Sequence, residues 1–214
     1  VRARLVIAAD GHRSVVREKL GIGVFSQPYD HAYLGLEADR PAGYRNAMRI
    51  QLHEQGGVLL MPRTTRVGIG MLVEAQSGKR WIGMDADELR RELVARAPIL
   101  EGMALHRDGS HVYELVRAHT DRYVAQGAVI MGDAAHCPNP TAGQGMTMAL
   151  GDAGLLASMV GPPLERGAVD LTAVLAAYEA RRWAANDAMI RGSHRLAQAY
   201  APVASRRAES QKHA

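Results

Sequence analysis

Apolar and polar residues alternate through much of the first half of the chain and recur every three or four positions through the last third, dividing it into a sheet-rich part and a helical part. The alternation is plainest at Met48-Arg49-Ile50-Gln51-Leu52-His53, where even positions are apolar and odd ones polar. It belongs to a strand-like region from about His31 to Val73 that continues through 58–61 and 67–73. Asp85-Ala86-Asp87-Glu88 has the form of a capping box, and Leu89, Leu93 and Val94 then predict a helix stopped by Pro98. Short strands are predicted around 112–118 and 123–125. From Gly143 to Val160 the chain is apolar nearly all round, with Ala149, Gly151, Ala153 and Gly154 permitting close backbone approach, which predicts a buried helix ended by Pro162-Pro163. Asp170 is placed to cap a long last helix, in which Leu171, Val174, Leu175 and Tyr178 follow i, i+3, i+4, i+7 spacing to about Tyr200, before Pro202. The polar tail from 205 to 214 is expected to be mobile.

Two strings carry chemistry. Val129-Ile130-Met131-Gly132-Asp133-Ala134-Ala135-His136 reads as an apolar strand that stops at Gly-Asp, and Pro138-Asn139-Pro140-Thr141-Ala142-Gly143-Gln144-Gly145 turns through a proline-marked loop into a helix. One carboxylate at a strand end and a bare helix N-terminus a few residues later could meet the same ligand. Asp133 can accept hydrogen bonds from a pair of sugar or polyol hydroxyls, whereas phosphate is a poor partner for it. Gly143 and Gly145 remove Cβ atoms where a planar ring or an oxyanion would approach, and the free N–H groups of the helix favour negative charge there. The second string, Leu5-Val6-Ile7-Ala8-Ala9-Asp10-Gly11-His12-Arg13-Ser14-Val15-Val16-Arg17, places Asp-Gly-x-x-Ser-x-x-Arg behind another apolar strand. Taken alone, that string is equally a turn with a helix cap at Ser14.

Together the strings resemble the Gly-Asp and Asp-Gly fingerprints of the class A flavoprotein aromatic hydroxylases, the para-hydroxybenzoate hydroxylase-like monooxygenases. The resemblance covers most of residues 1–200, although only the fingerprints are specific. It implies a mixed α/β (α+β) chain: a partial FAD-binding Rossmann-like domain with an inserted, mainly antiparallel substrate-domain sheet and long C-terminal helices. Residues 1–30 and 119–160 would belong to the FAD-binding domain, 31–118 to the substrate-domain sheet with one helix, and 161–204 to a C-terminal helical region. By position, Asp10, Gly11, Ser14 and Arg17 carry over as serving FAD and the reducing nucleotide. Gly132, Asp133, Pro140, Gly143, Gln144, Gly145, Met146 and Thr147 carry over as flavin contacts. Departures are mild: Asn139-Pro140 and Ala142-Gly143 stand where many members have Pro-Pro and Gly-Gly, and Thr147 stands where an Asn is common, so a hydroxyl replaces an amide's paired donor and acceptor.

The reaction so implied is hydroxylation of a small phenolic or polycyclic aromatic substrate: NAD(P)H reduces FAD, O2 forms a flavin C4a-hydroperoxide, and the protein supplies position, exclusion of water and electrostatics. Two alternatives are a related flavin reductase or halogenase chemistry, although Trp81 and Trp183 stand alone without a tryptophan-rich motif, and a flavin-free fragment acting as a scaffold or interaction module. Members of the family also open with a Gly-x-Gly-x-x-Gly turn for the FAD pyrophosphate. Gly21-Ile22-Gly23 follows a predicted helix, and Gly68-Ile69-Gly70 runs into Met71-Leu72-Val73 as a strand, so neither supplies that turn. The chain is therefore expected to be the middle and C-terminal part of a longer enzyme, binding FAD weakly or not at all by itself and not turning over.

Composition narrows the partners. At 214 residues and 47% hydrophobic content the chain can bury one sizeable core or a core plus part of a second. The net charge of +4 and pI of about 9.5 do not signal nucleic acid, because Arg90-Arg91, Arg181-Arg182 and Arg206-Arg207 are interleaved with acids on predicted helices or lie in the tail and read as solvated faces. No apolar run approaches the ~20 residues of a membrane span, and no signal-like N-terminus is seen. The single cysteine, Cys137, excludes an internal disulfide and fits a reducing compartment, so a cytoplasmic location is expected, with oligomeric state left open. His136 beside Cys137 favours a structural role over thiol catalysis, since no third partner is visible. The nine histidines show no metal-ligand spacing, and no metal is expected. Arg49, Gln51 and His53 share one face of a candidate strand; His53 is a weak candidate for accepting a phenolic proton and Arg49 for lining a pocket, with plain solvent exposure as the competing reading.

Overall fold

The structure is a computed structural model that describes residues 3–202, so the tail at 205–214 lies outside the described residues. Its elements in chain order are β1 (Val6–Ala8), α1 (Val15–Lys19), β2 (Val24–Asp39), β3 (Arg49–Gln51), β4 (Val58–Pro62) and β5 (Arg66–Glu74). These are followed by α2 (Gly78–Gly83), α3 (Ala86–Arg96), β6 (Leu105–Thr120), β7 (Val124–Ala125), β8 (Ala128–Ile130), β9 (His136–Cys137), α4 (Gly145–Glu165) and α5 (Thr172–Tyr200). The described residues form two compact units, one from residues 3–27 and 116–197 and the other from 28–115 and 198–202. It passes between them inside the long strands β2 and β6 and near the end of α5.

The first unit is built on a small sheet in the order β1-β8-β7. β1 and β8 run parallel, with Val6 opposite Ala128 and Ala8 opposite Ile130, and β7 and β8 form an antiparallel hairpin. A parallel pair needs a crossover, and here the crossover is the whole excursion between the two fingerprints. Against β8 pack Tyr123, Leu156, Leu175 and Tyr178, all buried, each large apolar side chain worth roughly 1.5–3 kcal/mol on burial. Asp170 starts α5 as its position suggests, accepting from the Thr172 N–H at 2.8 Å.

α4 departs from its prediction twice. It buries a single stripe, Met148, Asp152, Leu156 and Val160, while Met146 and Leu150 are exposed, because among the described residues only one face of this helix meets the core. It also continues through Pro162 and Pro163 to Glu165. Each proline keeps a helical φ and forfeits one N–H bond, but Leu164 still packs against the core, and the stop comes at Gly167 with φ +82°.

In the second unit the strand order is β3-β4-β5-β2-β6. β2 and β5 pair antiparallel from His31 opposite Glu74 to Asp39 opposite Arg66, and β4 pairs antiparallel with β5. The pair Gly68-Ile69-Gly70 is thus sheet, as its sequence context indicates. Leu34, Leu36, Leu60, Ile69 and Met71 form a core with Trp81, Leu89 and Leu93 from the two helices. α3 is capped as predicted: the Asp85 carboxylate accepts from the N–H groups of Asp87 and Glu88 at 2.9 and 2.8 Å. α2 is an additional helix that the sequence pattern hides, since Gly78 and Gly83 bound it and only Trp81 is buried. β6 begins at Leu105, ahead of the predicted 112, because pairing beside β2 extends it through a polar run that has no strand propensity of its own. On edge strand β3 both faces are open: Met48, Ile50 and Leu52 are 63%, 45% and 62% exposed.

Candidate functional site

The two fingerprints meet in the first unit. β1 delivers Asp10 to the start of α1, where its Oδ1 accepts from Ser14 Oγ at 2.5 Å and its Oδ2 from the Val16 N–H at 3.2 Å. Ser14 in turn accepts from the Arg17 N–H at 2.9 Å as N-cap of α1. The Ser14 hydroxyl, followed by the backbone donors, holds the Asp10 carboxyl below the usual range. Gly11, between them, takes φ +85°, which a side chain would strain. Arg17 leaves this cap and reaches the other fingerprint: Nη1 donates to the Ala134 carbonyl at 2.8 Å, and Nη2 to the His12 carbonyl at 2.9 Å.

The Gly-Asp string folds as a strand, a short turn and a second strand. Gly132 adopts φ +59°, opening a 3-10 turn over Gly132–Ala134 that projects Asp133 outward. The Asp133 side chain is exposed and its carboxylate has no hydrogen-bond partner among the described residues. Past β9, Asn139 accepts from Thr141 N and Oγ1 at 3.0 and 2.7 Å and organises a second 3-10 turn that begins at Pro140. Gly143 ends this turn in the left-handed region at φ +64°, with nothing within 4 Å of where a Cβ would stand. Gln144, the N-cap residue of α4, makes no side-chain cap and donates instead to the Ala142 carbonyl, so the N–H groups of Gly145, Met146 and Thr147 at the helix start are left for a ligand or solvent. Met146 and Thr147 are both exposed.

Behind the turn lies a buried polar network that sequence reasoning did not find. Asp152, fully buried in α4, accepts from the Gly132 N–H at 3.1 Å and from His136 Nε2 at 2.6 Å on Oδ2, and from Arg182 Nε at 2.7 Å and Asn186 Nδ2 at 3.0 Å on Oδ1. Burial pushes its pKa up, but the bonds from His136, Asn186 and Arg182 outweigh it and hold the carboxyl at about 2. Arg182 is therefore a partner of a buried acid, which corrects its reading as a solvated face. The available signal was an acid at the centre of an otherwise apolar helix stripe. His136 is structural, as expected, and Cys137 is a buried thiol pushed up to about 12 by burial and the neighbouring Asp133 charge.

The weak catalytic candidates, Arg49 and His53, sit at and beyond edge strand β3. Arg49 stacks over the Tyr44 ring at 5.1 Å, and His53 Nδ1 accepts from the Gln55 N–H at 3.2 Å; both belong to the second unit. That unit also carries a groove of about 350 Å³ lined by Tyr33, Glu37, Met61, Arg63, His111 and Tyr113. Glu37 is clamped by Arg63 and Arg66 at 2.6 and 2.7 Å, and Tyr33 is held in its protonated form by burial. Gly70 beneath Tyr33 has no room for a side chain, since a Cβ would overlap the phenol.

A family model described as FAD binding domain matches residues 1–193. The chain belongs to the FAD-binding, class A flavoprotein monooxygenase family. It is 31% identical over 185 residues to ubiquinone hydroxylase UbiL of Rhodospirillum rubrum, covering 85% of this chain and 43% of that protein. It is 27% identical over 194 residues to the 3-demethoxyubiquinol 3-hydroxylase of Escherichia coli, covering 90% and 49%. Among solved structures, PqsL of Pseudomonas aeruginosa in complex with 2-aminobenzoylacetate superposes with a TM-score of 0.80 at 26% identity, over 96% of this chain and 58% of that one. HpxO of Klebsiella pneumoniae, complexed with FAD and uric acid, shares the fold with a TM-score of 0.71 at 24% identity, over 97% and 55%. The chain thus spans about half the length of the curated relatives it matches.

The cofactor of this family is FAD, and the geometry fits it. The unengaged Asp133 carboxylate suits flavin-side hydroxyls, the open space at Gly143 suits a ring, and the uncapped start of α4 suits the negative edge of a reduced flavin. Asp10 and Ser14 bond to each other and to the first turn of α1, which fixes the direction of Arg17, and the exposed Asp10 carboxylate keeps acceptor capacity beyond those bonds. Among the described residues no helix is long and apolar enough to cross a membrane.

Proposed function

We propose that this chain is the part of an FAD-dependent monooxygenase that holds the flavin's sugar-side hydroxyls and ring edge and binds the substrate, hydroxylating a phenolic or polycyclic aromatic ring with O2 and NAD(P)H. The observation that carries this reading is the closure of Arg17 onto Ala134, which joins the two fingerprints into one site while leaving the Asp133 carboxylate unengaged. FAD, when bound and reduced by the nicotinamide nucleotide, supplies the activation of O2. Asp133 would accept from ribityl or ribose hydroxyls and fix the cofactor's direction. The N–H groups at the start of α4 would stabilise negative charge at the ring edge, and Pro140 with Gly143 to Gly145 would shape the backbone against it.

In the second unit the groove lined by Tyr33, His111 and Tyr113 has the aromatic lining and the volume, about 350 Å³, for a ring substrate. The protonated Tyr33 hydroxyl is a donor for a substrate oxygen. A ring substrate accords with the hydroxylase names of the relatives and with the 2-aminobenzoylacetate held by PqsL. Because the chain spans about half the length of its relatives, the reading is made for the protein that contains it, and the isolated 214 residues are expected to bind FAD weakly or not at all and not to turn over.

The test is an FAD titration followed by visible absorbance, together with NAD(P)H consumption and product analysis for the enzyme containing this chain. Hydroxylated product that disappears with Asp133→Ala is expected. NAD(P)H oxidation with no oxygenated product, in the presence of a range of phenols, would favour a reductase. Steady hydroxylation by the 214 residues alone would overturn the expectation for the isolated chain.

A further inference from the structure

The buried acid in α4 has a use that the flavin contacts do not account for. Asp152 receives four hydrogen bonds, about as many as a carboxylate can accept, and they arrive from different parts of the first unit: the Gly132 N–H and His136 from either side of the Gly-Asp turn, and Arg182 and Asn186 from α5. Arg182 also donates to the Met148 carbonyl in α4 at 3.2 Å and to Asn186 Oδ1 at 2.8 Å. Its guanidinium lies 3.3 Å from where a Cβ on Gly151 would stand, so that glycine opens its path across α4. Asn186 continues the chain of bonds to the Tyr123 hydroxyl at 3.1 Å, which His119 Nε2 also meets at 2.7 Å.

We infer that Asp152 is a positioning residue for the flavin site: one carboxylate fixes the Gly-Asp turn against α4, so that Asp133 and the start of α4 face a common ligand without rearrangement. The turn would otherwise be free to relax, because Gly132 sits in the left-handed region and glycine pays the largest backbone entropy on ordering. Tying the peptide N–H of Gly132 to Asp152 sets the plane from which Asp133 projects. His136 completes the hold from the other end of the turn. With Asp152 ionised, His136 Nε2 carries a proton and donates to it, while Nδ1 is buried with no partner among the described residues. The charge of Asp152 is balanced by Arg182.

The cofactor side of this inference rests on the flavin reading; the locking of the turn does not. The test is amide hydrogen exchange on the 15N-labelled chain, with FAD affinity measured on the enzyme that contains it. Asp152→Asn is expected to speed exchange at Gly132 to Ala135 on the order of 10-fold or more while Val129 and Ile130 in β8 stay close to wild type, and to weaken FAD binding by a similar factor. His136→Gln, which keeps a side-chain N–H donor, is expected to restore slow exchange where His136→Leu does not. If Asp152→Asn fails to fold, the histidine pair carries the same comparison. Equal acceleration throughout β8 and the turn would reduce Asp152 to general stability and overturn the inference, as would a loosened turn with unchanged FAD affinity. A wild-type enzyme that binds no flavin, with the turn responding as expected, sinks the flavin reading and leaves the positioning of the turn supported.

Discussion

Arg17 Nη1 donates to the carbonyl oxygen of Ala134 at 2.8 Å, so a side chain from the first fingerprint closes on the backbone of the second across 117 positions of sequence. A guanidinium can serve two carbonyls at once, and Arg17 does so with Ala134 and His12. Arg17→Met should cost about 1.5–3 kcal/mol, the range for hydrogen bonds to a charged group, read as a lower urea midpoint with unchanged slope. Arg17→Lys should recover only part of it, because a single ammonium does not reproduce the planar fork.

Gly132→Ala forces a β-carbon into the left-handed region and within 3.3 Å of the Ala149 methyl. A loss of about 1–3 kcal/mol is expected from the backbone and the crowding together. Thermal unfolding monitored by circular dichroism would check it, with Gly143→Ala, left-handed but uncrowded, as the milder comparison.

Gly56 shows a harder limit. Its φ is +115° and a Cβ would overlap the Leu72 carbonyl oxygen, a backbone atom that cannot swing aside. Gly56→Ala should cost roughly 2–4 kcal/mol, while Gly102→Ala, at φ +75° with open space around it, should cost about 1 kcal/mol. Paired denaturation curves of the two variants decide whether the overlap or the dihedral dominates.

Stability should fall with acid in two steps. Burial holds His119 below its ordinary value, against the opposing pull of Asp187 and alongside the unfavourable nearness of His136 and Arg191. The unfolded chain takes up that proton first, so this contribution is complete above pH ~6.5 and fades as pH drops toward the lowered folded value. Asp152, at about 2 when folded and ~3.9 when unfolded, contributes about 2 kcal/mol above pH ~4 that is lost as pH falls toward 2. Urea midpoints at pH 7.5, 5.5 and 3 would show both steps, and His119→Gln should flatten the first; an unchanged first step in that variant would rule His119 out as its source.

Cys137 should be unreactive. A buried thiol at about 12 is almost entirely protonated near neutrality, and only the thiolate attacks alkylating reagents. Iodoacetamide at pH 8 should label the unfolded chain fully and the native one at least 100-fold more slowly, read by intact mass.

The local signals that proved legible are those complete within a few residues. The caps at Asp85 and Asp170 are each decided by a side chain and the backbone next to it. The extent of β6, the existence of α2 and the continuation of α4 past Pro162 were not legible, because each depends on a partner remote in sequence: β2 beside β6, the core around Trp81, the contacts of Leu164. Alternation at Met48 to Leu52 marked the strand β3 but not its burial, since a period of two shows that a strand has faces and not that either face is covered.

By itself, then, the sequence determined the family, the mixed α/β class and the identity of the two loops, since fingerprints are short runs whose spacing alone constrains a turn. Only the tertiary structure decided that Arg17 joins those loops, that Asp133 is left unengaged while Asp10 bonds to Ser14, and that Arg182 answers a buried Asp152 rather than facing water. A residue type states what bonds a side chain can make; which of them it makes is fixed by folding, when burial removes water as the alternative partner and leaves each polar group to the neighbour that packing has brought within reach.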